Sequence, residues 1–215
     1  MKKRNISVEK FYAASQGAYG NALLNWTLHA PSDIVKYASS YRNAAQNLIA
    51  CRESMEFVTI DHHACPIIFL FRHAVELYLK AIVYHLAKLS IDDVELKIVL
   101  PRLWKEHSLV NLLKMAKPVM TAIRPALPPA LRELDEDALL FLTNLDIVDP
   151  GSYTFRYPVT SSGNPSLPDV FFVNIFLFAD QADLAIAELR TLCHHLIDKV
   201  HALTPQMRLD LAHLS

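Results

Sequence analysis

Three charged residues, Arg72, Glu76 and Lys80, recur every fourth position in Phe71-Arg72-His73-Ala74-Val75-Glu76-Leu77-Tyr78-Leu79-Lys80-Ala81-Ile82. That spacing puts them on one face of a helix. At a surface they would form an ion-pair ladder worth about 0.2–0.5 kcal/mol per pair. Their neighbours are apolar on most sides, which predicts that at least Glu76 is partly buried, and a buried carboxylate requires a cation or donors. Two residues elsewhere are candidate partners. His107 opens His107-Ser108-Leu109-Val110-Asn111-Leu112-Leu113, either as a side chain that joins Glu76 or as a simple helix cap. Arg156 lies in Tyr153-Thr154-Phe155-Arg156-Tyr157-Pro158. It either pins a loop to the fold or offers a phosphate a forked donor beside stacking rings.

A rival constellation is metal. Asp61-His62-His63-Ala64-Cys65 and Cys193-His194-His195 hold imidazole and thiol groups that would make a tetrahedral zinc site if adjacent in space. Without a Cys-x-x-Cys knuckle, the ordinary reading is helix-start histidines and a buried thiol. Walker-type and dinucleotide glycine fingerprints are absent, and 4 Gly leave little to build them from. No metal and no cofactor are therefore expected.

The elements that must position these groups follow from periodicity. Ser7 to His29 carries Phe11, Tyr12, Tyr19, Leu23 and Trp26 at mixed three- and four-residue spacing and reads as helical. Pro31-Ser32-Asp33 starts a second helix, with Ile34, Tyr37, Ala38, Tyr41, Ala45, Leu48 and Ile49 as its stripe. Pro66 to Leu89 is apolar nearly all round, so it belongs in the middle of a bundle. Ser90 to Lys97 reads as a charged hinge. A helix follows from His107-Ser108, ended by Pro118, Pro125, Pro128 and Pro129, and a short helix spans Asp135 to Leu145. Asp149 to Asp169 is one long irregular stretch, a length usually reserved for function. Val170 to Leu203 is a long helix striped by Ile175, Phe178, Ala182, Ala185, Leu189, Leu192, Leu196 and Val200.

Composition limits the function class. Of 215 residues, 52% are hydrophobic and 20% charged, which excludes disorder. Lys+Arg 21 against Asp+Glu 22 leaves a formal charge of −1, so nucleic-acid affinity must come from local clustering and a general DNA coat is excluded. The scarcity of Gly argues against hairpins, and three scattered cysteines suit a reducing compartment. The longest apolar run, Ala64 to Phe71, is far short of the roughly 18 residues that span a bilayer. No export signal follows Met1-Lys2-Lys3-Arg4. The expectation is a cytoplasmic, all-α bundle of about five main helices in one domain, 1–215, with no membrane contact.

The Arg-His-Ala-Val-Glu-Leu-Tyr-Leu-Lys-Ala helix, the His-Ser-Leu-x-x-Leu-Leu helix and the Tyr153/Tyr157 pair around Phe155-Arg156, before a final long helix, resemble HEPN (higher eukaryotes and prokaryotes nucleotide-binding) domains. The resemblance covers residues 61–203. Residues 1–60 become an N-terminal helical elaboration and 204–215 a C-terminal tail. It implies an up-and-down helical bundle, commonly a homodimer, working in bacterial toxin–antitoxin or defence systems or beside a nucleotidyltransferase. A binding centre of Arg72, Glu76, His107, Arg156 and Tyr157 is then expected, with RNA, a nucleotide or a protein partner as ligand.

In the family the chain resembles, many members are metal-independent ribonucleases, using an Arg to hold the scissile phosphate and a His, with four to six residues between the two, to move protons. Two stretches match that spacing. Arg190 precedes His195 by four intervening residues, although at about 100° per residue Arg190 and His194 share a helix face better. Arg102 precedes His107 likewise, but ahead of a middle helix. Other branches lack the pair and keep His-x-Leu and Arg-Tyr-Pro elements, matched here at His107 and Arg156. A third reading makes the chain a structural dimeric partner protein, with Phe171, Phe172 and Phe176 on the last helix building the dimer face.

Overall fold

A helix that is apolar all round must be surrounded, and the central helix is. In the computed structural model, which describes residues 30–51, 59–90, 93–167, 169–170 and 172–202, α2 spans Thr59–Ser90. It packs against α6 (Ile175–Ala202), α4 (Leu109–Ile123) and α3 (Asp93–Lys105). Ile67, Phe71, Ala74, Val75, Tyr78, Leu79, Ile82 and Leu86 are buried along it. The chain is all-α among the described residues, with one isolated bridge, Val159 to Pro165, in place of any strand. No helix among them is long and apolar enough to cross a membrane.

The first described helix, α1 (Ala30–Ala50), keeps most of its expected stripe, with Ala38 and Ala45 wholly buried, but Tyr37 is 53% exposed and does not belong to it. Side chains tie it down: Ser39 and Tyr78 share a hydrogen bond at 2.7 Å, and Arg42 and Gln46 both donate to Asp183 on α6. The helix expected over Ser7 to His29 and the tail 204–215 lie outside the described residues, as does Phe171.

Three expectations are corrected. The charged segment Ser90 to Lys97 is no hinge over most of its length, because α3 begins at Asp93 and runs through Pro101. Its anchor is Leu103, at 0% exposure against the core. Likewise Pro118 does not end α4. The ring removes one ladder donor, yet Ala116, Val119, Met120 and Ile123 on either side pack on the core and carry the helix to Ile123. Two short 3-10 turns, Arg124–Ala126 and Pro129–Leu131, then connect to α5 (Glu136–Val148). Finally, α6 starts at Ile175 and not at Val170, because the Asn174 side chain accepts the N–H groups of Phe176 and Leu177 and caps the helix there.

The stretch from Asp149 to Asp169 is irregular, as its turn residues require. A tight excursion closes where Thr160 donates to the Asn164 carbonyl and Gly163 to that of Thr160. Gly163 has φ +82°, a backbone conformation that L side chains rarely adopt.

Candidate functional site

Helical spacing aligns Arg72, Glu76 and Lys80, and packing buries them. Arg72 is 0% exposed and Glu76 1%. Arg72 Nη1 donates to Glu76 Oε2 at 2.7 Å, and Lys80 Nζ donates to Oε1 at 2.8 Å. Both surface-ladder contacts therefore exist, but in the interior, where a missing partner would be costly.

Two carbonyls complete Arg72. Its Nη2 donates to the backbone oxygens of His107 and Asp149 at 2.8 Å each, and Nε donates to the Asp149 carbonyl at 3.1 Å. Asp149 Oδ2 lies 3.0 Å from Nε as a charge contact; the N–H itself is aimed at the carbonyl. Every face of this guanidinium is thus engaged by protein. Arg72 fixes the start of α4 and the start of the long loop onto α2, and its place is in the wall of the site.

His107 is the member that reaches the surface. Its Nδ1 lies 3.0 Å from Glu76 Oε1, while 49% of its side chain is exposed. Burial pushes the Glu76 carboxyl up, but the hydrogen bond and charge of Lys80, with those of Arg72, outweigh it and hold the group below the usual carboxylate range. An ionised Glu76 only accepts, so Nδ1 carries the proton toward it and Nε2 is the basic nitrogen of the neutral ring.

Acids that sequence reading passed over hold the frame. Asp146, near the end of α5, accepts from the Ser108 hydroxyl at 2.8 Å and the Leu109 N–H at 2.6 Å. Ser108 in turn caps α4 by accepting from the Asn111 N–H. Glu106 takes the N–H groups of His107 and Ser108. Asp149 Oδ1 accepts from the N–H groups of Tyr153 and Thr154, shaping the loop that presents Arg156. In the sequence Leu145-Asp146-Ile147-Val148-Asp149-Pro150, two acids three apart at the end of an apolar helix, where the dipole disfavours negative charge, were the available signal.

Arg156 does not join Glu76. It is exposed, with its guanidinium carbon 5.5 Å from the ring centres of both Phe69 and Tyr157. Phe69 also stacks on His73 at 5.6 Å, and Tyr41 meets His73 edge-on at 4.5 Å. Burial lowers the His73 pKa; Glu76 opposes this, and the charges of Lys80, Arg72 and Arg156 reinforce it. Arg156 therefore stands on the same side of α2 as the buried cluster, over a small ring platform, with Tyr157 56% exposed beside it.

The alternative residues lie apart. Arg190 and His194 are on the exposed side of α6, and His195 is half-buried with Nε2 lacking a hydrogen-bond partner. None contacts Glu76 or His107. Arg102 is exposed near the end of α3, one turn before His107. Cys193 is wholly buried, which pushes its thiol up to about 12. Among the described residues no three His, Cys, Asp or Glu side chains are grouped as a metal site would need. No family model, curated protein or solved structure matches the chain.

Proposed function

We propose that the chain is a HEPN-like helical module, acting as a homodimer, that binds RNA or a nucleotide in a bacterial toxin–antitoxin or defence setting. An antitoxin or nucleotidyltransferase would be its protein partner. The observation that carries this reading is the half-exposed His107, held by a buried, ionised Glu76 on the side of α2 where Arg156 stands exposed between two rings. A forked cation beside aromatic faces suits a phosphate next to a base. Arg72, Lys80 and Asp149 keep that surface in shape without touching the ligand.

The test is binding of a fluorescent single-stranded RNA and of ATP at low salt, by anisotropy. Arg156→Ala should abolish binding while the unfolding transition stays cooperative at an unchanged midpoint. Undiminished binding by that variant would sink the reading.

A second reading, a metal-independent ribonuclease, is favoured by one feature. A His whose Nδ1 is fixed by a carboxylate presents a basic Nε2, the arrangement a general base for a 2′-hydroxyl needs. It makes His107 the residue to bet on ahead of His194 or His195. Incubation with RNA in EDTA decides it: His107→Ala should lose cleavage that His194→Ala and His195→Ala retain, and cleavage equal in all three would mean contamination.

A further inference from the structure

A groove of about 500 Å³ runs between α5 and α6, on residues that the proposed binding surface does not use apart from its neighbour Phe155. Two ridges flank it at helical spacing: Asp137, Phe141, Asn144 and Val148 on α5, and Gln181, Leu184, Ala185 and Glu188 on α6. The α5 ridge is about 16 Å long at 1.5 Å per residue, some three helical turns. Its apolar rim faces water, with Leu140 59% and Leu184 69% exposed, over a floor of Phe141 and Phe178 whose rings lie 5.4 Å apart.

The groove has a charged end and an uncharged one. Asp135, Asp137 and Glu188 gather where α5 begins, with no Lys or Arg lining the groove itself; the adjoining hollow that shares Asp135 and Glu188 adds Arg124, paired with Glu133, and Arg132, so this end stays net acidic. Glu188 accepts the Asp135 N–H at 3.0 Å, which fixes that end. Among the described residues, none of the three carboxylates is in an ion pair. The opposite end is lined by Val148, Phe155, Val173 and Phe178.

We infer that this groove is a docking site for an amphipathic helix of a partner protein, about three turns long, with apolar anchors at i, i+3/i+4 and i+7 and a Lys or Arg at the end that meets Asp135, Asp137 and Glu188. A cleft between two helices accepts the ridge of a third. The unpaired carboxylates set polarity and favour a basic terminus over an acidic one.

The test is a phage-displayed library of helix-biased 14-residue peptides, selected on the full chain and, in parallel, on its Leu184→Glu variant. The variant's exposed position should leave the unfolding midpoint unchanged. Sequences enriched on the wild type alone should show the apolar spacing with a basic residue at one end. The best of them should bind Asp137→Asn about tenfold more weakly at low salt, a difference that shrinks as salt rises. Enrichment equal on both proteins, enrichment without the basic end, or no enrichment at all would each overturn the inference. So would a dimer that Leu184→Glu converts to monomer, since the groove would then hold a second copy.

Discussion

His107 Nδ1 lies 3.0 Å from Glu76 Oε1, on a carboxylate that Arg72 and Lys80 already hold, so one buried acid serves two buried cations and one half-exposed imidazole. The same carboxylate is therefore needed for stability and for the orientation of the one ring in the cluster that reaches solvent. Local helical spacing supplies the first role, and a contact across 31 residues supplies the second.

Replacing Glu76 by Ala should be the most damaging change in the cluster. It leaves the buried Lys80 with the Trp104 carbonyl at 3.3 Å and Arg72 with Asp149 and the His107 carbonyl, and breaking a buried pair from one side costs about 3–5 kcal/mol. Urea unfolding measures it; a loss below about 1 kcal/mol would mean that water reaches the cations.

Arg72→Lys keeps the charge and loses the fork that grips two carbonyls. Protection from hydrogen exchange at the Tyr153 and Thr154 amides should fall about tenfold or more, given about 1.5–3 kcal/mol for a charge-assisted bond. Amides of Ala182 and Ile186 in α6 should keep theirs. Uniform loss across the chain would show that Arg72 supports the whole fold and not the loop.

Acid should weaken the fold through a buried histidine. Burial, with the charges of Lys88 and His201, lowers His85 from 6.5 to about 4, and its Nδ1 has no hydrogen-bond partner. The unfolded chain takes up a proton as pH falls through 6.5, whereas the folded chain refuses it until about pH 4. Stability is then complete above pH 7 and lost progressively down to pH 4, by at most about 3 kcal/mol from this residue. His73, also lowered, adds to the same slope. Urea midpoints measured from pH 7 to pH 4 should fall, and His85→Leu should flatten most of the fall; an unchanged slope in that variant would place the effect elsewhere.

Cys193 should be inert in the folded protein. It is 0% exposed and its thiol is pushed up to about 12, while Cys51 is exposed. Iodoacetamide at pH 8 followed by mass mapping should label Cys51 first and Cys193 only in denaturant. Native labelling of Cys193 at the rate of Cys51 would mean that α6 opens.

Helix periodicity made the architecture legible: Ile34 to Ile49, the all-apolar run after Pro66 and the stripe ending at Val200 all became helices with the expected faces inward, apart from the exposed Tyr37. It also placed Arg72, Glu76 and Lys80 together, because i, i+4 neighbours meet whatever the rest of the chain does. It misjudged Ser90 to Lys97, where a run of charge ahead of Pro101 resembled a hinge and tertiary packing of Leu103 favoured a helix from Asp93.

What the amino-acid order determined by itself was local: helices, their buried sides, and a row of alternating charges on one of them. Only the tertiary structure decided which distant groups answer that row. It brought in His107 and the Asp149 carbonyl and left Arg156 out on Phe69 and Tyr157. The physical reason is that a buried charge accepts any donor or acceptor of suitable geometry, backbone included. Pattern cannot choose among these until the helices have packed and the distances exist.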